Sequence, residues 1–158
     1  GGIASMLNTV WLILSALTFG GVLERTGILK QILDAVLKAV KSTGDLVLAT
    51  VTGGFVTNIL AADQFLAIAL PGRLFGSTYD DFRLSRENLS RTLEDSATMT
   101  SALIPWNTCG AYMAATLGVA TFEYAPYAIF NIACPLIAIA FGYLMFQQKP
   151  AEAATSSA

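Results

Sequence analysis

The stretch LSRTLEDSATMTSALIPWNTCG, Leu89 to Gly110, decides how the rest of this sequence is read. It opens on Arg91 and the adjacent carboxylates Glu94 and Asp95, and passes through the hydroxyls of Ser96, Thr98 and Ser101. It ends in Pro105, Trp106, Asn107 and Thr108. No charge follows Asp95 until Glu123. An apolar run with carboxylates at its mouth and a proline in its middle is a poor soluble helix and a poor straight membrane span. Proline removes an amide donor and collides with the carbonyl four residues back. At membrane depth the freed backbone must be satisfied by protein or by a water-filled cavity. The segment from Ala97 to Phe122 is therefore expected to be a re-entrant or discontinuous helix.

Outward from this stretch the chain is apolar. Hydrophobic residues make up 54% and charged residues 13% of the sequence, against about 25% charged in an ordinary soluble domain. The fold class that follows is an all-α membrane protein, a multi-span helical bundle with discontinuous or re-entrant helices. A net charge of −2 points to no nucleic-acid partner, and the absence of histidine removes the commonest metal ligand and neutral-pH base. Neither an enzyme class nor a cofactor is indicated. Cys109 and Cys134 lie in apolar segments and read as small buried hydrophobes. No basic segment precedes the first apolar run, so it does not read as a cleaved leader. The expectation is a fragment of a longer protein.

Ile3 to Leu23 and Ala125 to Phe146 are uncharged and long enough to cross a core of about 30 Å. Asn8, Asn131 and Pro135 give each of them a protein-facing side. Leu46 to Leu70 carries one charge, Asp63, beside Gln64 and below Asn58. It is too long for one straight span, so a break is expected between Asn58 and Asp63. Between the first spans, Ile28, Leu29, Ile32, Leu33, Val36, Leu37 and Val40 recur at helical spacing and predict an amphipathic interfacial helix. Arg73 to Arg91 is polar and basic, with Gly76 to Asp81 expected to form a loop. The transmembrane domain is expected over residues 1–148, followed by a polar disordered tail, 149–158.

A carboxylate at membrane depth costs about 2.5–3.5 kcal/mol on insertion scales, so Asp63 needs a reason. It either caps a half-helix beginning near Gln64 or, with Asn58, holds a cation or proton. Glu94 shares a helical face with Thr98 and Ser101, leading toward Asn107. Asp95 shares one with Arg91 and reads equally as an interfacial ion pair. A hard monovalent cation wants carboxylate, hydroxyl, amide and free carbonyl oxygens, and a helix break supplies the last of these. The candidate cation- and proton-binding set is Asn58, Asp63, Glu94, Asp95, Ser96, Thr98, Ser101, Asn107 and Thr108.

SRTLEDSATMTSALIPWNTCGAYMAATLGV resembles the signature block of NhaC-type Na+/H+ antiporters, in the large ion-transporter assemblage. LTFGGVLERTGIL, NILAADQFLAIALPGRLF and YAPYAIFNIACPLIAI resemble further blocks in the same order. The family pattern favours Gly at the position of Ala97 and Ser at that of Ala67. The resemblance implies a secondary active transporter of a bacterial or archaeal cell membrane, exchanging Na+ for H+ across the lipid bilayer. It implies one repeat of an inverted-repeat carrier whose N-terminal half lies elsewhere, and it leaves room for a homodimer. Malate/lactate or amino-acid exchange, and a non-transporting membrane subunit, stay open as alternatives. An intramembrane aspartyl protease does not fit, because Ser42-Thr43-Gly44 precedes Asp45 where Gly-x-Gly would be required.

Overall fold

The computed structural model describes residues 3–144, and every regular element among them is helical. In chain order these are α1 (Ile3–Arg25), α2 (Ile28–Leu37), α3 (Thr43–Ala61), α4 (Gln64–Asp81) and α5 (Arg86–Leu93). A π-helical turn, Glu94–Thr98, joins α5 to the short α6 (Met99–Ser101). After an irregular stretch come α7 (Thr108–Leu117), α8 (Thr121–Tyr124), a 3-10 turn (Ala125–Tyr127) and α9 (Ile129–Leu144).

α3 is the centre of the bundle. A reciprocal capping box starts it: the Ser42 hydroxyl accepts from the Asp45 amide at 3.1 Å, and the Asp45 carboxylate accepts from the Ser42 amide at 3.0 Å. The helix has no polar face, as suits a largely buried helix; 61% of it is buried, and Leu48, Thr52 and Phe55 form its exposed stripe. By contrast, α1 has similar hydropathy but is only 6% buried, with Leu7, Trp11 and Phe19 facing outward. Leu33 of α2, Leu46 of α3, Phe75 and Tyr79 of α4, and Leu89 and Leu93 of α5 form one core cluster. The same N-terminal end of α3 is tied to α9, where the Tyr143 hydroxyl donates to the Asp45 carboxylate at 2.8 Å.

Both expected breaks are present. α3 stops at Ala61, Ala62 turns left-handed at φ 56°, and α4 starts with Asp63 as its N-cap. The run containing Pro105 loses regular structure between α6 and α7. Other expectations need correction. Gly76 to Asp81 is not a loop but the last part of α4, because burial of Phe75 and Tyr79 outweighs the weak helix preference of Gly76, Ser77 and Thr78. The Tyr79 hydroxyl is fixed to that of Thr50 at 3.0 Å. The segment from Ala125 is not one straight span. It bends by 59° between Thr121–Tyr127 and Ile129–Leu144, where Pro126 has no amide to donate. Asn8 is exposed, whereas Asn131 does face protein, donating to the Met99 carbonyl at 2.8 Å. Cys109 and Cys134 are free and only partly buried. The expected tail, 149–158, and the last residues of the expected domain lie outside the described residues.

α1 leans on the break through Gly20, where a methyl group would collide with the backbone of Ala61. Its neighbour Gly21 has nothing within 4 Å of the same position. Gly20→Ala should therefore lower stability by about 1–3 kcal/mol through overpacking. Gly21→Ala should be neutral or stabilise by up to about 1 kcal/mol through helix propensity. Unfolding titrations of the two variants in detergent check the pair, and equal effects would contradict this packing.

Candidate functional site: the crossing of two broken helices

The two breaks lie against each other. The Thr108 amide at the start of α7 donates to the Ala62 carbonyl in the α3–α4 break at 3.0 Å. Four helix ends therefore converge: α3 and α6 with their carbonyls, α4 and α7 with their amides. Each end carries the partial charge of its unpaired backbone groups.

Side chains satisfy most of what the backbone leaves open. Asn107 caps α7, its carbonyl oxygen accepting from the Cys109 amide at 3.1 Å. Its amide nitrogen donates to the Asn58 side-chain oxygen at 3.0 Å. Asn58 in turn donates to the Ala97 carbonyl at 2.6 Å and to the Thr100 hydroxyl at 3.2 Å. Trp106 donates from Nε1 to the Ile59 carbonyl at 2.8 Å, near the end of α3. The Tyr124 hydroxyl donates to the Ala102 carbonyl, just past α6, at 2.5 Å. Asn58 and Asn107 are completely buried, and among the described residues no buried side-chain polar atom lacks a partner. The stretch after Pro105 folds back so tightly that a methyl group on Gly110 would collide with the Ile104 carbonyl.

The crossing gathers Asn58, Ser101, Asn107 and Thr108 from the expected set. Three further residues complete it. Gln64, the first residue of α4, accepts through Oε1 from the Ser101 hydroxyl at 3.2 Å and the Cys109 thiol at 2.8 Å. Thr100 bonds Asn58, as above. Gln64 was visible as a polar residue beside Asp63 at membrane depth, whereas nothing local distinguishes Thr100 or Cys109 from helix-packing residues.

The remaining candidates lie apart from this cluster. Asp63 is half-buried and its Oδ1 accepts from the Leu66 amide at 2.9 Å, which makes it the N-cap of α4. It also lines a cleft of about 310 Å³ between α1 and α4, together with Glu24 and Arg73. Glu24 had no place in the sequence-derived set, although it lies in LTFGGVLERTGIL. Glu94 is exposed and accepts from the Thr98 hydroxyl at 2.7 Å along its own helical face. Asp95 pairs with Arg91 at 3.6 Å. Ser96 is buried but donates back to the Thr92 carbonyl at 2.6 Å. Glu94, Asp95, Ser96 and Thr98 all belong to the π turn or its edge. A widened turn of this kind is frequent at functional sites. Ala97, in the same turn, packs its methyl against Gly54 of α3, where an added Cβ would sit 3.1 Å away.

Chemically, the crossing offers amide, hydroxyl and backbone carbonyl oxygens with no buried charge, and the Asp63 carboxylate stands next to it in sequence. Among the described residues no group of three His, Cys, Asp or Glu side chains is placed to hold a metal ion. Amide, hydroxyl and carbonyl oxygens are ligands of hard cations, and the one sulfur at the crossing, the Cys109 thiol, donates to Gln64. Replacing Asn107 by Leu would strand the Asn58 side chain and the Cys109 amide, at about 1–3 kcal/mol for a stranded buried group. A double-mutant cycle with Asn58→Leu should show strong coupling, because removing both amides relieves part of that loss. Additive effects in detergent unfolding would mean the two amides act independently.

The chain matches the Na+/H+ antiporter family over residues 1–146. It is 42% identical to the Na+/H+ antiporter NhaC of Alkalihalophilus pseudofirmus over 91% of this chain and 31% of that protein. It is 37% identical to the arginine/ornithine antiporter ArcD of Halobacterium salinarum over 100% of this chain and 33% of that protein. A malate-2H+/Na+-lactate antiporter of Bacillus subtilis is also 37% identical, over 90% of this chain and 31% of that protein. The chain thus spans about a third of the length of these curated relatives. No solved structure matches it. With the matched region reaching from the first residue through α9, the chain belongs to the Na+/H+ antiporter family.

Proposed function

We propose that this chain is one repeat of a secondary active carrier of the cell membrane that exchanges Na+ for H+, and that the crossing of its two broken helices belongs to the ion path. The observation that carries this reading is the Ala62–Thr108 backbone bond with the Asn58–Asn107 amide pair beside it. Membrane carriers place coupling ions where unwound helices expose backbone carbonyls and helix ends.

The roles divide by chemistry. Asn58, Ser101, Asn107 and Thr108 offer neutral oxygens to a sodium ion that has shed its water. Asp63 supplies a carboxylate at the edge of this cluster, able to take either a proton or a share of the cation. Glu94 with Thr98, and Asp95 paired with Arg91 of α5, stand at the π turn leading inward and pass ions toward the crossing. Competition between proton and sodium for one carboxylate couples the two fluxes: a proton must leave before the cation binds, and the cation must leave before the proton returns. The other repeat, contributed by the rest of the carrier, closes the site and lets it face each side of the membrane in turn. A second reading, exchange of an amino acid or a small organic anion, is favoured by the similarity to the ArcD and malate/lactate proteins.

In the full-length carrier, Asp63→Asn and Glu94→Gln keep shape and most hydrogen bonding but delete the titratable charge. Sodium-dependent proton flux in vesicles, normalised to folded protein, should fall to background in both. In the parent the apparent affinity for sodium should rise with pH, since fewer protons then compete. Asp95→Asn should be tolerated together with Arg91→Gln if the pair is structural, since exposed ion pairs contribute only about 0–1 kcal/mol. Parent-like exchange and pH dependence in both Asp63→Asn and Glu94→Gln would reduce these carboxylates to a cap and a helix-face pair.

A further inference from the structure

A second cavity adjoins the cleft that Asp63 lines and shares Arg73 with it. It is an open groove of about 690 Å³ between α4 and α5, and its lining includes Arg73, Ser77, Arg86 and Ser90 with the apolar Ile68 and Leu93. Its lining contains two guanidinium groups and no carboxylate. We propose that this groove binds an anionic phospholipid, with the phosphate held by Arg73, Arg86 and the two serine hydroxyls and an acyl chain lying along Ile68 and Leu93.

Several features converge on that ligand. α4 and α5 are joined by the short turn from Phe82 to Ser85, so they run back along each other. Each presents an arginine with a serine one turn further on: Arg73 and Ser77 on α4, Arg86 and Ser90 on α5. Among the described residues Arg73 has no ion pair, and neither serine hydroxyl is used in a hydrogen bond. Arg86 bonds Asp80 through Nη2 at 2.7 Å and through Nε at 3.4 Å, leaving its other terminal nitrogen open. That pairing holds the Asp80 carboxyl below its ordinary range.

The groove also has a floor shaped for an occupant. Gly76 is buried, yet a Cβ added to it would meet nothing within 4 Å, and at Gly72 it would meet only the tip of Leu93 at 3.4 Å. The absent side chains, not tight packing, keep this space open. Basic and apolar side chains both line it: Arg73 and Arg86 from the two helices, with Ile68 and Leu93. A soluble anion would use only the basic groups. A lipid uses both, and basic pockets between membrane helices are recognised sites for anionic headgroups.

The test uses the full-length protein in detergent, titrated with short-chain phosphatidylglycerol, phosphatidylcholine or inorganic phosphate. Phosphatidylglycerol should bind at least about fivefold more tightly than phosphatidylcholine, and Arg73→Gln should weaken it about fivefold, the worth of one basic residue at an anionic surface. Gly76→Leu keeps both arginines but fills the floor, so it should remove the preference for phosphatidylglycerol. Parent-like thermal unfolding of both variants separates loss of the groove from loss of the fold. Equal binding of the two lipids, or unchanged phosphatidylglycerol binding by Gly76→Leu, would overturn the proposal. Displacement of phosphatidylglycerol by inorganic phosphate would assign the groove to a free anion and overturn it too.

Discussion

The hydrogen bond from the Thr108 amide to the Ala62 carbonyl expresses the constraint on which the rest of the bundle depends. Inside a membrane an unpaired backbone group has no water to turn to. A chain that interrupts one helix must therefore supply partners for several amides and carbonyls. This chain interrupts two and sets the interruptions against each other, so that each provides part of what the other lacks. Asn58, Trp106 and Asn107 then bond to what a single backbone contact cannot reach. The helices around the crossing are arranged to permit it. Most of α3 is buried, its C-terminal end forms one side of the junction, and Gly20 lets α1 press against that end.

The breaks were legible in the sequence because their causes are local. Pro105 cannot donate, and Asp63 followed by Gln64 at membrane depth announces a cap. What could not be read was which polar groups meet. Asn58 and Asn107 are 49 residues apart, and no periodicity links them. Thr100 and Cys109 looked like ordinary packing residues until the fold brought Asn58 and Gln64 to them. Gly76 to Asp81 misled for the opposite reason. Its composition favours a turn, but Phe75 just before it and Tyr79 within it reach the core and hold it in α4. The bend after Tyr127 was missed because hydropathy averages over Pro126 without registering the lost donor.

The placement of charge follows the same electrostatic limit. A carboxylate buried at the crossing would be uncompensated whenever no cation was bound, and an unpaired charge in low dielectric costs far more than an unpaired amide. The buried residues there are neutral: Asn58, Thr100, Ser101 and Asn107. The carboxylates stand where water or a partner can reach them, Glu94 on an exposed face and Asp95 beside Arg91.

Asp63 is the one carboxylate in the break between α3 and α4, and its capping role uses only one of its oxygens. A cap requires a single acceptor atom, and Oδ1 supplies it to the Leu66 amide. Oδ2 has no hydrogen bond among the described residues, while the residue lines the cleft shared with Glu24 and Arg73. The amide ends of α4 stabilise the negative charge whether or not a cation is near. In the proposed exchange, a carboxylate held this way would keep its position through loading and release, because the contact that fixes it is not the one an ion would use. The same cap that ends the interruption in the backbone thus leaves the other Asp63 oxygen open to the cleft it shares with Glu24 and Arg73.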